Sequence, residues 1–233
     1  MKRRHTSNDF YPINHAELSR KTAIHEAGHA ASIYLGNKQK QLPPVFFQMF
    51  IKDLNNDGLS NRCFCKPYDS CNSCMTKIEG GRLIHTLPSS VAEAVSDFSA
   101  TQKQAYQRAF DADIINFLVG PLAEAKYVAL RDDEPINPHL VNLNALQYYG
   151  GSSDLETIND YLACLITDSA QREKKLSELF LAAFHFINDR SNWRAITALA
   201  DYILADHKNI IDCEEIMSVL DGHCFVARKS AWC

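Results

Sequence analysis

Two histidines and a glutamate stand at a spacing that chemistry can use. The stretch Thr22-Ala23-Ile24-His25-Glu26-Ala27-Gly28-His29-Ala30-Ala31 contains His-Glu-x-x-His. On a helix, residues four apart leave the same face, so His25 and His29 can reach one Zn²⁺ at roughly 2.0–2.1 Å. Glu26 follows the first ligand and points to the adjacent side of the helix. There it can hold and deprotonate a zinc-bound water as a general base. The plain alternative is a pair of ordinary helix histidines.

A catalytic zinc usually takes three protein ligands and one water, so the class turns on a third ligand. The longer metzincin pattern is excluded, because Ser32 and Leu35 stand where its glycine and last histidine belong. A downstream carboxylate is the remaining common choice. Glu124, Asp154 and Glu156 are candidates, with His139 as an outsider. Composition alone does not choose among them.

The elements that must position these residues are mostly helical. Residues 16–35 read as a first helix whose apolar face (Ala23, Ile24, Ala27, Ala30, Ala31, Ile33) is built of small residues suited to close packing. Gly28 inside it costs roughly 1 kcal/mol relative to Ala, which a close backbone or ligand approach would explain. Val45–Ile51 reads as a strand, and Arg82–Leu87, closed by Pro88, as a second one. The second would serve either as a core strand or as an edge beside the zinc on which a substrate peptide adds. Residues 101–130 form a long helical stretch with a break expected near Gly120-Pro121, and 131–150 look like loop. Ser153-Asp154-Leu155-Glu156 has the form of a capping box and predicts a helix start. Further helices are expected over 171–188, where Leu176, Leu179, Phe180, Ala183, Phe184 and Ile187 form a stripe, from Ser191 to about Ala205, and from Asp212 to about Gly222. The fold class is mainly α (α+β), a helical domain with a small β-sheet and a Cys-rich insertion. The domain reading is a polar N-terminal segment over 1–15, one domain over 16–222 with the insertion at about 55–80, and a tail over 223–233.

Composition narrows the partners. The chain has 233 residues, 46% hydrophobic and 22% charged, with a net charge of -4. That is ordinary for a soluble domain and gives no basis for nucleic acid as a partner. No apolar run has the roughly 18 residues needed for a membrane span, and no secretory signal is read, so a cytoplasmic location is expected. Of eight cysteines, four fall within 63–74. Cys63-x-Cys65 and Cys71-x-x-Cys74 could supply four thiolates to a structural Zn²⁺; a redox pair, a disulfide or unliganded thiols are the alternatives. Such a metal would stabilise a loop with little apolar material of its own.

Four stretches, in order, resemble the peptidase domain of the FtsH family of zinc metalloproteases. Ala23–Ala30 is similar to its zinc helix, and Leu118-Val119-Gly120-Pro121-Leu122-Ala123-Glu124 to its Leu-x-Gly-Arg-Ala-Ala-Glu segment. Gly150-Gly151-Ser152-Ser153-Asp154-Leu155-Glu156 resembles the segment that carries its third ligand. Ala198–Leu204 followed by Ile211–Ile216 resembles its last helix pair. The resemblance implies Asp154 as the third zinc ligand and Glu124 as a group orienting a ligating histidine. Pro121 replaces the family's Arg, Ala125 replaces its second Glu, and neither Thr157 nor Ile158 keeps the register of the family's Thr. The family's ATPase module and membrane helices have no counterpart in these residues.

The expectation is therefore a stand-alone, ATP-independent zinc metallopeptidase. It would hydrolyse peptide bonds through a zinc-bound water, with Glu26 as general base and His25, His29 and Asp154 on the metal. Its substrates would be peptides or flexible, unfolded chain segments. The family's hexameric rings leave room for a homo-oligomer. The rival expectation is a zinc-stabilised binding or regulatory protein that keeps the peptidase fold without proteolysis.

Overall fold

The computed structural model describes residues 15–51, 76–138, 141–205 and 208–224. The four clustered cysteines and His139 lie outside the described residues. What is described is mainly helical with one small antiparallel sheet, the class the sequence predicts.

Helix α1 (His15–Ala31) runs on through a π-helical turn (Ser32–Gly36) into a short α2 (Asn37–Gln39). Its small-residue face is fully buried: Ala23, Ile24, Ala27, Ala30 and Ala31 have no exposed surface. That face packs against α4 (Ala100–Arg131) and α7 (Arg190–Ala205). Gly28 explains how closely. A Cβ there would lie 2.8 Å from the Ala123 Cβ and 3.0 Å from the Val119 carbonyl oxygen. The cost of a mid-helix glycine is thus the condition for α1 and α4 to meet backbone to backbone.

Helix α4 does not break at Gly120-Pro121, as the sequence suggested; it is continuous over 32 residues. Pro121 removes one backbone donor, but both residues are buried by neighbours that hold the helix in place. Gly120 lies under the His29 ring, and the Pro121 ring fits against Gly151, where a Cβ would come within 2.8 Å. A capping box of Ser99 and Gln102 starts α4. Farther along it, the buried Lys126 Nζ donates to the Ile187 carbonyl at 2.7 Å and to Asn188 Oδ1 at 3.0 Å. These acceptors end α6 (Ser169–Asn188), where the helix dipole favours a cation. The same ammonium sits 4.6 Å from the centre of the Trp193 ring on α7.

The sheet has the order β2-β1-β3, with β1 Phe47–Phe50, β2 Lys77–Gly80 and β3 Ile210–Ile211, all antiparallel. Phe47 faces Gly80 and Phe50 faces Lys77, and among the described residues β2 pairs with β1 alone and forms an edge. This corrects the expected second strand: 82–87 form none. Gly80 and Gly81 both have positive φ (87° and 77°) and turn the chain off the sheet. Beyond them the backbone donors go elsewhere. Asp113 of α4 accepts the N–H groups of Leu83 and Ile84, both at 2.9 Å, which ties that segment to α4 and away from a ladder.

After a short α3 (Val91–Ala94) and α4, the expected loop contains a 3₁₀ helix, Leu143–Tyr149, whose N-terminus is capped by Asn142 through the Ala145 N–H at 3.0 Å. Gly150 closes it in the left-handed region (φ 72°). Helix α5 (Ser152–Leu165) then begins after Gly151, with no side-chain cap. The capping box read from Ser153 and Glu156 is therefore not used. The helix starts earlier, which puts Asp154 inside its first turn with its carboxylate available to face another element. Helices α6 and α7 and the last helix, α8 (Cys213–Cys224), complete the packing, with the stripe Leu179, Phe180, Ala183, Phe184 and Ile187 buried.

Candidate metal centre

His25 and His29 leave one face of α1 and meet Asp154 from the first turn of α5. Their Nε2 atoms stand 3.0 Å apart. The closest Asp154 oxygens lie 3.4 Å from His25 Nε2 (Oδ2) and 3.6 Å from His29 Nε2 (Oδ1). The three side chains are mostly buried, with 10–14% of each exposed. Two nitrogen ligands on one tetrahedral Zn²⁺ at 2.0–2.1 Å would stand about 3.3 Å apart, so the spacing fits a single small ion.

The outer edges of both rings are fixed by acceptors. His29 Nδ1 faces the Asn116 carbonyl oxygen at 2.7 Å. His25 Nδ1 faces the Tyr149 carbonyl oxygen at 3.2 Å and Glu124 Oε2 at 3.3 Å. These acceptors dictate the tautomer with the proton on Nδ1 and the lone pair on Nε2. Both lone pairs then point at each other and at a carboxylate. Two ring nitrogens and the two oxygens of one carboxylate, at separations of 3.0–3.6 Å, repel unless a cation or a proton lies between them.

The electrostatics agree. Burial by itself pushes His25 down, but hydrogen bonds to Asp154 and Glu124 outweigh it and hold the ring well above its usual pKa. Burial likewise pushes Asp154 up, and the charges and hydrogen bonds of the two histidines overcome it and hold the carboxyl below the usual range. Both shifts run in the direction that favours a positive charge beside the Asp154 carboxylate. Glu26 shifts the other way. Desolvation raises it, partly offset by the two histidines and by the Ile78 N–H of β2, which donates to it.

Four glycines make room for this. A Cβ on Gly120 would fall 2.2 Å from His29 Nε2. One on Gly150 would come within 3.2 Å of both His25 and the Glu124 carboxylate. Gly28 brings α1 to α4, and Gly151 lets the turn before α5 close over Pro121.

The histidines and the carboxylates around them face a cleft of ≈ 390 Å³. Its lining includes His25, Glu26, His29 and Asp154, the β2 edge at Lys77, Ile78 and Gly80, and Phe117 of α4. Of the residues singled out in the sequence, His25, Glu26, His29, Glu124 and Asp154 are brought together; Glu156, one turn along α5, is not among the lining residues. Among the described residues His25, His29 and Asp154 are the one group of three placed to hold a metal ion. Sequence reasoning missed the backbone participants: the Asn116 and Tyr149 carbonyls and the Ile78 N–H. It also missed Asp113 and Arg82. Main-chain groups leave no residue-type signal, although the paired glycines at 150 and 151 mark where the chain comes close.

These features define a mainly helical domain in which two histidines and one carboxylate that could hold a metal ion meet in an open cleft. No family model, no curated protein and no solved structure matches this chain.

Proposed function

We propose that this protein is a zinc metallopeptidase, similar in its site to the FtsH peptidase domain and acting on peptides or flexible chain segments without ATP. The observation that carries the reading is the convergence of the His25 and His29 lone pairs on Asp154, with Glu26 beside them and open cleft in front. Two imidazoles and one carboxylate suit Zn²⁺, and three protein ligands are what catalytic zinc sites use.

When bound by His25, His29 and Asp154, zinc would supply Lewis acidity toward water and a peptide carbonyl. Glu26 takes the proton from the attacking water on its carboxylate and passes it to the leaving amine nitrogen. Its raised pKa suits the second transfer, because a more basic carboxylate holds the proton long enough to deliver it. Glu124 and the Tyr149 carbonyl keep the His25 ring from turning, and the Asn116 carbonyl does the same for His29. Among the described residues the outer edge of β2 pairs with no other strand and runs along the cleft, with its Ile78 N–H directed to Glu26. A substrate in extended form can add to it as a further strand, which places its carbonyls by backbone hydrogen bonds. A cleft of ≈ 390 Å³ accepts an extended stretch of a few residues and not a folded domain.

The test is Glu26→Gln. Zinc content should equal that of the parent, and cleavage of a mixed peptide library, read by mass spectrometry, should fall by at least about 100-fold. ATP should not alter the parent rate. A parent that binds zinc and cuts nothing in the library would overturn the peptidase reading and leave a zinc-stabilised binding protein.

A further inference from the structure

We propose that Arg82 makes the cleft selective for peptides that carry a carboxylate, either an acidic side chain or a free C-terminus. The inference rests on the peptidase reading and adds the substrate class.

Arg82 lines the same cleft as His25, Glu26 and Asp154 and is exposed to it. Its guanidinium carbon lies 5.3 Å from the centre of the Phe117 ring, which also lines the cleft. A guanidinium supported on an aromatic face keeps its N–H edge turned outward, the edge that matches a carboxylate in two parallel hydrogen bonds.

The backbone on both sides of Arg82 is fixed. Gly81 precedes it at φ 77°, against the Ile33 side chain, where a Cβ would fall 2.6 Å from Cδ1. After it, Asp113 takes the N–H groups of Leu83 and Ile84 and also the Tyr161 hydroxyl at 3.2 Å. Asp113 feels the charge of Arg82, but its oxygens already have three donors. Among the described residues no carboxylate lies within ion-pair distance of Arg82. The other cation in the lining, Lys77, has Glu79 at 3.5 Å.

Among the described lining residues there is therefore an acidic region at Glu26, Glu124 and Asp154, a fourth carboxylate, Asp113, taken up by its own donors, and one cation, Arg82, with no carboxylate at ion-pair distance. An anionic peptide is repelled by the acidic region and attracted by Arg82. It would lie with its carboxylate at Arg82 and its neutral backbone across the metal ligands. Specificity of this kind comes from both the attractive and the repulsive element.

The experiment uses peptide pairs that differ only as Glu or Gln at one position, or as free acid or amide at the C-terminus. Each pair is measured twice: by kcat/KM on the zinc-loaded parent, and by fluorescence anisotropy of binding to Glu26→Gln protein. The parent should favour the acid by about tenfold or more in one of the two sets, which identifies the source of the carboxylate. Arg82→Gln should bring the acid-to-neutral ratio close to one, and Arg82→Glu should reverse it. An acid preference unchanged in both variants, or no acid preference in the parent by either measure, would overturn the proposal. If the parent cuts no peptide, the peptidase reading fails, and the anisotropy ratios still decide the role of Arg82.

Discussion

Gly120→Ala adds one methyl group and should remove the metal without unfolding the protein. The added Cβ would lie 2.2 Å from His29 Nε2, 2.4 Å from Cε1 and 2.6 Å from Cδ2. Carbon against a ring atom needs about 3.5 Å, so the overlap is about 1 Å across the ring edge that carries the candidate ligand nitrogen. Separating α1 from α4 would relieve it only by undoing the buried contact at Gly28 and Ala123. Turning the His29 ring out into the cleft is cheaper. That move breaks the Nδ1 hydrogen bond to the Asn116 carbonyl, a loss of about 1 kcal/mol. The alanine returns about 1 kcal/mol of helix propensity. The two nearly cancel, so the zinc-free variant should melt within a few degrees of the zinc-free parent. Zinc binding is another matter, because one of three ligands has left. Misorientation of a ligand alone costs 10–100-fold in affinity, so displacement should cost at least about 100-fold. Competition against a chromophoric chelator measures the affinity, and thermal denaturation in chelator measures the fold. A variant that binds zinc within about threefold of the parent would refute the placement of His29 as a ligand over Gly120.

Three further outcomes follow from the same geometry. Glu124→Gln should weaken zinc by roughly tenfold, the low end for a group behind a ligand, because the Tyr149 carbonyl still holds His25 Nδ1 at 3.2 Å; chelator competition reads it. Zinc affinity should rise about tenfold per pH unit up to the raised pKa of His25, with release of one proton, because zinc and proton compete for Nε2; calorimetry in buffers of differing ionisation enthalpy counts the proton. In the zinc-free protein the sign reverses: the raised His25 gives stability that is full below its unfolded pKa and is lost as pH rises through the folded value. The buried Lys126 has its pKa pushed down to about 8 by desolvation, so the unfolded chain binds more protons above that pH. Stability should rise between about pH 8 and 10.5 by up to about 3 kcal/mol, and urea unfolding of Lys126→Met should lack that rise.

The candidate ligands on α1 were legible because their spacing is a property of one helix and needs no tertiary knowledge. Asp154 was not legible from composition or periodicity. Glu124, Asp154 and Glu156 are equivalent as carboxylates, and choosing among them from the residues alone requires knowing where α5 begins. The local rule pointed to a start capped at Ser153. In the fold, Gly150 and Gly151 close the turn against Pro121, the helix starts at Ser152, and Asp154 is carried to the histidines. The second strand failed for a related reason. Residues 82–87 have strand-like composition, but their backbone donors are captured by Asp113, thirty residues away in sequence. Tertiary packing at the first place and tertiary hydrogen bonds at the second outweighed local propensity, and both border the cleft.

The glycines also account for why a break was expected in α4 and none occurs. Gly120-Pro121 would end an isolated helix. Here the missing side chain at 120 is the floor beneath His29, and the Pro121 ring is the wall for the Gly151 turn that leads into Asp154. Just before them on α4, the Asn116 carbonyl turns to His29 Nδ1. One dipeptide thus seats a histidine from α1 and the turn that brings the aspartate on α5. A long polar side chain at 121 could not form the same apolar wall against Gly151. The candidate metal centre and the irregular dipeptide in α4 are one structural feature, so substitutions at 120 or 121 should be felt first in zinc affinity and only second in folding.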